Sequence, residues 1–250
     1  MENDLIKQNH WYQKWWGVVL LSAGSACFLV LIVWGVITAR YMWQIKTGQA
    51  NHLQKKFYGG FNQSIGKEIK SNKFINRKEL ETSDDPFLGN PSADIVIVEF
   101  VDFKCPNCKE SADITKRLLS QYAYKVKLII RDFPAESLHA GAGNLAEIAF
   151  CAHEQARFWQ MYDAIFASQS SLPANLTSSH INRLADSAGV NYDKLQTCLG
   201  EGKAKIEINK DYSDGLKFGV KGTPTYFVNG QKVEGVVPFD SWEKMIKEFK

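Results

Sequence analysis

The sequence predicts an α/β domain that follows a single N-terminal membrane helix, and three observations lead to this fold class. The first is a run of 25 residues without a charged side chain, 15–39. The second is a buried-strand pattern at 93–101, followed at once by a C-x-x-C and an amphipathic helical pattern. The third is a long stretch, about 138–218, whose periodicity is almost wholly helical before strand patterns return near the C-terminus.

The composition is that of a globular protein, with 45% hydrophobic and 23% charged residues in a chain of 250. A net charge of +3 is too close to balance for a general nucleic-acid binder, so we predict no nucleic-acid partner. The charge is nevertheless uneven, because residues 41–83 are strongly basic and polar. We therefore divide the chain into a short tail (1–14), an anchor (15–39), a basic polar tether (40–83) and a folded domain (84–250).

The uncharged run has the features of a helix that spans the lipid bilayer. As a helix it would rise about 37 Å, which exceeds a hydrocarbon core of about 30 Å. Aromatic residues stand at both ends, Trp15 and Trp16 at one and Tyr41 and Trp43 at the other, as in membrane interface belts. The alternative is a cleaved secretory signal, whose apolar stretch is only about 7–15 residues. The sequence therefore predicts an uncleaved single-pass anchor in the cell membrane.

The charges that flank this run point to one orientation. They are Lys7 and Lys14 before the run and Arg40, Lys46, Lys55 and Lys56 after it. Taken alone, the positive-inside bias favours a cytoplasmic C-terminal domain, although large domains translocate despite such charge.

The C-x-x-C consists of Cys105 and Cys108 with Pro106 and Asn107 between them. Pro106 suits the first position of a helix, which places Cys105 at the helix N-terminus. Free N–H groups and the helix dipole favour a thiolate there, and Cys108 lies one turn later within disulfide reach. This pattern predicts a redox-active pair. The alternative is half of a zinc site, which needs two further ligands that the chain does not offer as a second pair. We therefore predict neither a metal nor a cofactor.

Two other positions support the redox interpretation. Glu99 lies six residues before Cys105 in an apolar strand, where a buried carboxyl would have a raised pKa and could relay a proton to or from Cys108. An exposed charge at the strand end is the alternative for Glu99. Pro224 begins a predicted strand near the C-terminus, and the Thr223–Pro224 peptide bond is a candidate for the cis form. His139 and His153 receive no catalytic role, since their spacing pairs them with no nucleophile.

Three separated segments carry a resemblance to a known family. The segment 99–108 resembles the active-site segment of DsbA-like thiol–disulfide oxidoreductases. The stretch 151–159 is similar to the helical-insert signature of that family, and 222–225 is similar to its cis-proline loop. The resemblance covers about residues 86–250 and implies a thioredoxin fold with a helical domain inserted at about 138–218.

The same resemblance implies a role for each site residue. Cys105 would be the exposed attacking sulfur and Cys108 the buried resolving sulfur. Thr223 and Pro224 would pack against the pair and hold the backbone of a substrate. Glu99 matches the position of the buried acid found across thioredoxin-like proteins.

Cys151 and Cys198 form a second pair of interest. Similar proteins with cysteines at both places often join them in a structural disulfide, and two buried free thiols are the alternative. A bond there would indicate an oxidising compartment, against the orientation that the flanking charges favour.

The resemblance implies an oxidoreductase that introduces disulfides into reduced or misoxidised proteins outside the cytoplasm, and the uncharged run predicts that it is anchored in the membrane. Its dithiol would be reoxidised by a membrane quinone-linked thiol oxidase, as in this family. A reductase or isomerase that uses the same cysteines is the alternative within the enzyme class. A metal-delivery or other non-catalytic binding module is the alternative outside it.

Overall fold

The computed structural model describes residues 15–46 and 74–249. The predicted tail and most of the predicted tether lie outside the described residues. Helix α1 runs over Trp15–Lys46 and contains the uncharged run. Its apolar side chains at Phe28, Leu31 and Trp34 are exposed. Judged on the described residues, no helix combines the length and the apolar character that crossing a membrane requires.

The remaining described residues belong to a separate compact unit built on a five-stranded sheet. Its strands are β1 (Phe87–Gly89), β2 (Ile95–Val101), β3 (Val126–Asp132), β4 (Thr225–Val228) and β5 (Gln231–Glu234). Their spatial order is β1-β3-β2-β4-β5, and only β2 and β3 run parallel. The central strand β2 is buried at every residue, as its β-branched sequence predicts for a strand covered on both faces.

Helices join and cover these strands. The short α2 (Arg77–Leu80) precedes the sheet, α3 (Pro106–Tyr122) connects β2 to β3, and α9 (Phe239–Glu248) ends the domain. Helix α9 packs on α3, where the guanidinium carbon of Arg117 lies 3.9 Å from the centroid of the Phe239 ring. Tyr122 on α3 also donates a hydrogen bond of 2.7 Å to Glu243.

Between β3 and β4 the chain is helical, which confirms the predicted helical insert. The insert consists of α4 (Ala142–His153), α5 (Phe158–Ser168), a 3-10 turn (Gln169–Ser171), α6 (Ser178–Ala188), α7 (Tyr192–Glu201) and α8 (Lys203–Lys217). An aromatic cluster joins the insert to the turn between β2 and α3. The Phe103 ring lies 5.7 Å from the Tyr162 ring and 5.3 Å from the Phe166 ring, measured between centroids.

A buried ion-pair network holds α8 against β3. The Arg131 side chain is fully buried and lies 2.6 Å from Asp211 and 2.7 Å from Asp214, both on α8. The Asp85 carboxylate lies 3.3 Å from Nε of Arg131. Because an unpaired buried guanidinium is very costly, this network fixes the position of α8 on the sheet.

The packing of the domain begins upstream of residue 84, inside the segment that the sequence assigns to the tether. Leu80 is only 1% exposed and belongs to the core cluster with Val96 and Phe100. The main-chain N–H of Ile75 donates to the Gly230 oxygen at 3.0 Å. Gly230 has φ +88° and its Cα faces the Ile75 oxygen so closely that a Cβ would clash with it. Leu80 and the partly buried Ile75 thus join an otherwise polar stretch to the core.

Candidate active site at the start of helix α3

The cysteine pair lies at the junction of β2 and α3, where the sequence predicts it. Cys105 is the N-cap of α3, with an extended backbone, and Pro106 is the first helical residue. Cys105 is 6% exposed and Cys108 is fully buried. Both are free thiols in the structure. Cys105 is therefore largely buried, where the resemblance implies an exposed sulfur, but it retains more exposed surface than Cys108, which lies in the first turn of the helix.

The surroundings of Cys105 stabilise its thiolate. A hydrogen bond with the Cys108 thiol is the largest influence, and it lowers the pKa of Cys105 to about 5 against the opposing effect of burial. The Thr223 side chain and the main-chain N–H groups of Asn107 and Cys108 lower this pKa further. The N–H groups act as the helix N-terminus should, since they point at the sulfur.

Cys108 has the opposite character. Burial, and then the neighbouring Cys105 sulfur, raise the pKa of Cys108 well above its usual value. Its Sγ accepts one hydrogen bond of 3.5 Å from the main-chain N–H of Asp102. Since a thiolate is the form that attacks or leaves in disulfide exchange, Cys105 is ready to react while Cys108 has to exchange a proton.

Glu99 lies under the helix that carries the two cysteines. It is fully buried, so the alternative of an exposed strand-end charge does not apply. Its Oε1 accepts a hydrogen bond of 3.0 Å from Ser111 on α3, and the Ser111 hydroxyl is also bonded to the Tyr226 hydroxyl. Burial raises the pKa of Glu99 to about 7, while these two hydroxyl groups act to lower it.

The Thr223–Pro224 segment lies beside the reactive sulfur. The peptide bond between these residues is cis, and the Cys105 thiol donates to the main-chain oxygen of Thr223 at 3.3 Å. Thr225 begins β4 directly after the segment. The fold therefore brings Cys105, Cys108, Glu99 and this loop to one place, as the sequence predicts.

Gln169 is a site residue that the sequence analysis missed. Its side-chain amide is buried and donates to the main-chain oxygens of Phe103 and Cys105, at 3.0 and 2.9 Å. Lys104 reaches the same part of the insert, where its Nζ donates to the Leu172 oxygen at 2.7 Å. No local sequence signal identifies Gln169, because its partners lie more than 60 residues away.

The structure also places His139 next to the cysteine turn, although the sequence gives it no role. Its Nδ1 lies 2.8 Å from the Oδ2 of Asp102, a carboxylate that is 1% exposed. The same Oδ2 accepts from the Ala135 main-chain N–H at 2.9 Å. Asp102 thereby ties the turn before Cys105 to the loop after β3. His153 lies on the insert, with its ring 6.1 Å from the Phe158 ring.

Cys151 and Cys198 are bonded to each other in the structure. The S–S distance is 2.00 Å and the two Cα atoms are 5.8 Å apart. The bond joins α4 to α7 within the insert and closes a sequence separation of 47. It is therefore separate from the Cys105–Cys108 pair.

Comparison with known proteins gives consistent results for this domain. A thioredoxin family model matches residues 81–248. The probable disulfide bond formation protein D of Bacillus anthracis is 30% identical over 176 residues, which cover 65% of this chain and 77% of that protein. The solved structure of the thiol-disulfide exchange protein alpha-DsbA2 from Wolbachia pipientis has a TM-score of 0.62 at 18% identity, covering 76% of this chain and 98% of that one.

A longer protein also matches. The Na(+)/H(+) antiporter NhaA 3 of Salinispora tropica is 33% identical over 152 residues, which are 60% of this chain. This chain spans only 22% of the length of that antiporter, so the antiporter's name describes a much larger molecule. The family model, in contrast, covers well over half of the chain and includes every residue of the site. The chain belongs to the thioredoxin family, and its domain is similar to a probable disulfide bond formation protein.

Proposed function

We propose that this protein is a membrane-anchored thiol oxidase that introduces disulfides into protein substrates outside the cytoplasm. The opposed pKa values of the two cysteines carry the proposal, about 5 for Cys105 and well above the usual value for Cys108. A stabilised Cys105 thiolate favours the reduced form of the pair over its disulfide. The disulfide is then easily reduced, which makes it a good oxidant for a substrate.

The proposed reaction begins with the Cys105–Cys108 disulfide. A substrate thiolate attacks the Cys105 sulfur, the bond between the two cysteines breaks, and Cys108 leaves with the electron pair. Because Cys108 favours its neutral form, it takes up a proton, for which buried Glu99 is the donor. A second substrate thiolate then attacks the substrate sulfur of the mixed disulfide and expels Cys105 as a thiolate. The substrate leaves with one disulfide, and two electrons remain on the enzyme.

The Thr223–Pro224 loop is the proposed holder of the substrate backbone. Its position supports this role, since the Thr223 oxygen lies 3.3 Å from the Cys105 sulfur that would carry the substrate. The substrates are reduced or misoxidised proteins, whose extended segments can lie along the loop and present a cysteine to Cys105.

The enzyme has to pass its two electrons on. We assign this step to a membrane quinone-linked thiol oxidase, by resemblance to DsbA-like enzymes. The uncharged run within α1 and its exposed apolar side chains support an anchor in the same membrane. Confining both proteins to one plane would raise their effective concentration for each other.

The Cys151–Cys198 bond supports an extracytoplasmic location, because structural disulfides persist in oxidising compartments. The basic residues after the anchor favour the opposite orientation. Protease treatment of intact spheroplasts tests the location. We expect loss of the 84–250 domain without lysis, whereas protection until lysis would place the domain in the cytoplasm.

An equilibrium redox titration of the full-length chain against glutathione tests the direction of the reaction. We expect a potential well above the roughly −270 mV of thioredoxin. A value at or below that of thioredoxin would make the protein a reductase. Cys108→Ser is the control, since it cannot form the disulfide and should show no two-electron transition.

A further inference from the structure

The two carboxylate oxygens of Glu99 have different surroundings. Oε1 accepts the hydrogen bond from Ser111 at 3.0 Å. Oε2 is buried and has no hydrogen-bond partner among the residues that the structure describes. A buried carboxylate oxygen without a hydrogen-bond partner destabilises the fold, so a chemical role for Oε2 would explain its presence.

The Ser111 hydroxyl, which donates to Oε1, is itself bonded to the Tyr226 hydroxyl, and these two residues come from the two elements that form the site. Ser111 lies three residues after Cys108 on α3, so both side chains occupy one face of that helix. Tyr226 lies directly opposite Glu99 in the pairing of β2 with β4, two residues after Pro224. The Ser111–Tyr226 contact therefore links Glu99 to the cysteine helix and to the strand after the cis-proline loop.

We propose that Ser111 and Tyr226 are positioning residues: Ser111 holds Oε1 of Glu99, Tyr226 holds the Ser111 hydroxyl, and Oε2 is left as the atom that exchanges a proton with Cys108. The inference rests on the proposed function, in which Glu99 serves the buried cysteine. When the Cys105–Cys108 disulfide is reduced, the proton moves from Oε2 to the Cys108 sulfur. When the dithiol is oxidised through a mixed disulfide on Cys105, the Cys108 proton returns to Oε2. The Cys108 thiolate then attacks the Cys105 sulfur, which forms the Cys105–Cys108 bond and expels the partner sulfur as a thiolate.

Among the described residues, three other titratable groups belong to the surroundings of Glu99: Cys108 on α3, Tyr226 on β4 and Tyr162 on α5. Besides burial, the charges of Glu99 and Cys108 both raise the pKa of each tyrosine. Burial raises the pKa of both tyrosines well above the usual value, so they stay neutral near pH 7. Cys108 is thus the group in this set that changes its protonation during the reaction.

The two hydroxyl groups also decide whether Glu99 can accept a proton at neutral pH. Their hydrogen bonds lower the pKa of Glu99, and burial alone would hold it higher than about 7. Removing either bond should keep the carboxyl protonated at pH 7. A protonated Glu99 cannot take the Cys108 proton, so resolution of a mixed disulfide would slow.

The test is the pH profile of the resolving step in the full-length protein. Reduced enzyme is mixed with oxidised glutathione, and the decay of the Cys105–glutathione mixed disulfide is followed by acid quench and mass spectrometry. We expect an inflection near pH 7 that moves upward in Ser111→Ala and in Tyr226→Phe. A move of one unit would slow the step about fivefold at pH 7. Ser111→Thr keeps the hydroxyl and should restore the original profile.

Thr115→Ala is the matched control. Thr115 is a buried hydroxyl on the same helix, and it donates to the main-chain oxygens of Ser111 and Ala112 rather than to Glu99. Its loss should leave the inflection in place. An equal shift in Thr115→Ala would overturn the inference, because the effect would then belong to the helix as a whole.

Glu99→Gln separates the inference from the proposed function. If it abolishes the inflection while Ser111→Ala and Tyr226→Phe keep the original midpoint, the positioning role is wrong and the proton role of Glu99 stands. If the inflection survives in Glu99→Gln, both the proton role of Glu99 and the positioning role of Ser111 and Tyr226 are wrong. The redox potential would still decide between oxidase and reductase in either case.

Discussion

Gln169 on the insert and Cys105 at the start of α3 are joined by a hydrogen bond of 2.9 Å, from the Gln169 amide to the Cys105 main-chain oxygen. The same amide holds the Phe103 oxygen, and the Lys104 side chain holds the Leu172 oxygen. The insert thus forms hydrogen bonds with three consecutive residues of the turn before α3. Since Cys105 is the N-cap, these bonds determine where its sulfur lies relative to the helix N-terminus.

We therefore predict that Gln169→Ala raises the pKa of Cys105 and destabilises the domain. The variant leaves two main-chain oxygens without a hydrogen bond, which should lower the free energy of unfolding by about 1–3 kcal/mol. The turn, no longer held by Gln169, should also position the Cys105 sulfur less well at the helix N-terminus. Ultraviolet absorbance of the thiolate against pH measures the pKa, and urea unfolding measures the stability. Gln155→Ala is the matched control, a glutamine that also bonds main-chain groups at Asn191. An unchanged Cys105 pKa would show that Gln169 only stabilises the fold.

A second prediction concerns the pH dependence of stability in the reduced protein. The pKa of Cys105 is lowered from 9.0 to about 5, so between these values the unfolded chain holds a proton that the folded thiolate lacks. The reduced form should gain stability relative to the oxidised form as pH rises from 5 to 8, and lose that gain as pH falls through about 5. Glu99 titrates in both forms, so its effect largely cancels in the difference.

Urea unfolding at several pH values, with and without reductant, measures this difference. Cys105→Ser supplies the control, because it has no thiol at this position and should lack the gain. A difference between reduced and oxidised protein that stays constant over the same range would contradict a stabilised Cys105 thiolate.

Local sequence patterns predict the elements that carry the cysteines. The β-branched run predicts β2, and Pro106 predicts the start of α3. The Asn229-Gly230 pair predicts the hairpin between β4 and β5, where both residues have positive φ. Each of these features depends on the conformational preferences of neighbouring residues, so a single sequence contains the necessary information.

The contacts that complete the site depend on residues far apart in the chain. Gln169 and His139 are ordinary polar residues in their own segments, and only the fold brings them to Phe103, Cys105 and Asp102. The start of the domain also depends on distant contacts, because Leu80 follows a polar basic stretch and joins the core through tertiary packing. Hydrophobic periodicity does not report such distant pairings.

A third prediction concerns the disulfide in the insert. Closing a loop with a sequence separation of 47 should stabilise the domain by about 4 kcal/mol in the chain-entropy model. The double variant Cys151→Ala/Cys198→Ala should lose stability of that order, measured by urea unfolding of the oxidised protein. Counting free thiols in denaturant checks that the wild-type chain has the bond. Equal stability of the variant and the wild type would mean that the bond constrains nothing in the unfolded chain.

The last prediction concerns the cost of the buried carboxyl at Glu99. Burial raises the pKa of Glu99 from 4.5 to about 7, so the folded state keeps a proton that the unfolded chain has released. This raised pKa makes the wild type lose stability as pH rises from about 4.5 to 7, and the loss saturates above 7. Glu99→Gln does not titrate, so its stability relative to the wild type should rise over the same window by on the order of 3 kcal/mol.

Thermal and urea unfolding of both proteins in the oxidised state measure this change. Values below pH 4.5 provide the reference, because the carboxyl is neutral in the folded and unfolded states there. A relative stability independent of pH would mean that Glu99 keeps an ordinary pKa despite its burial. Since a carboxyl that is already ionised at pH 7 could not give Cys108 a proton, that result would also remove it as the proton partner of the resolving cysteine.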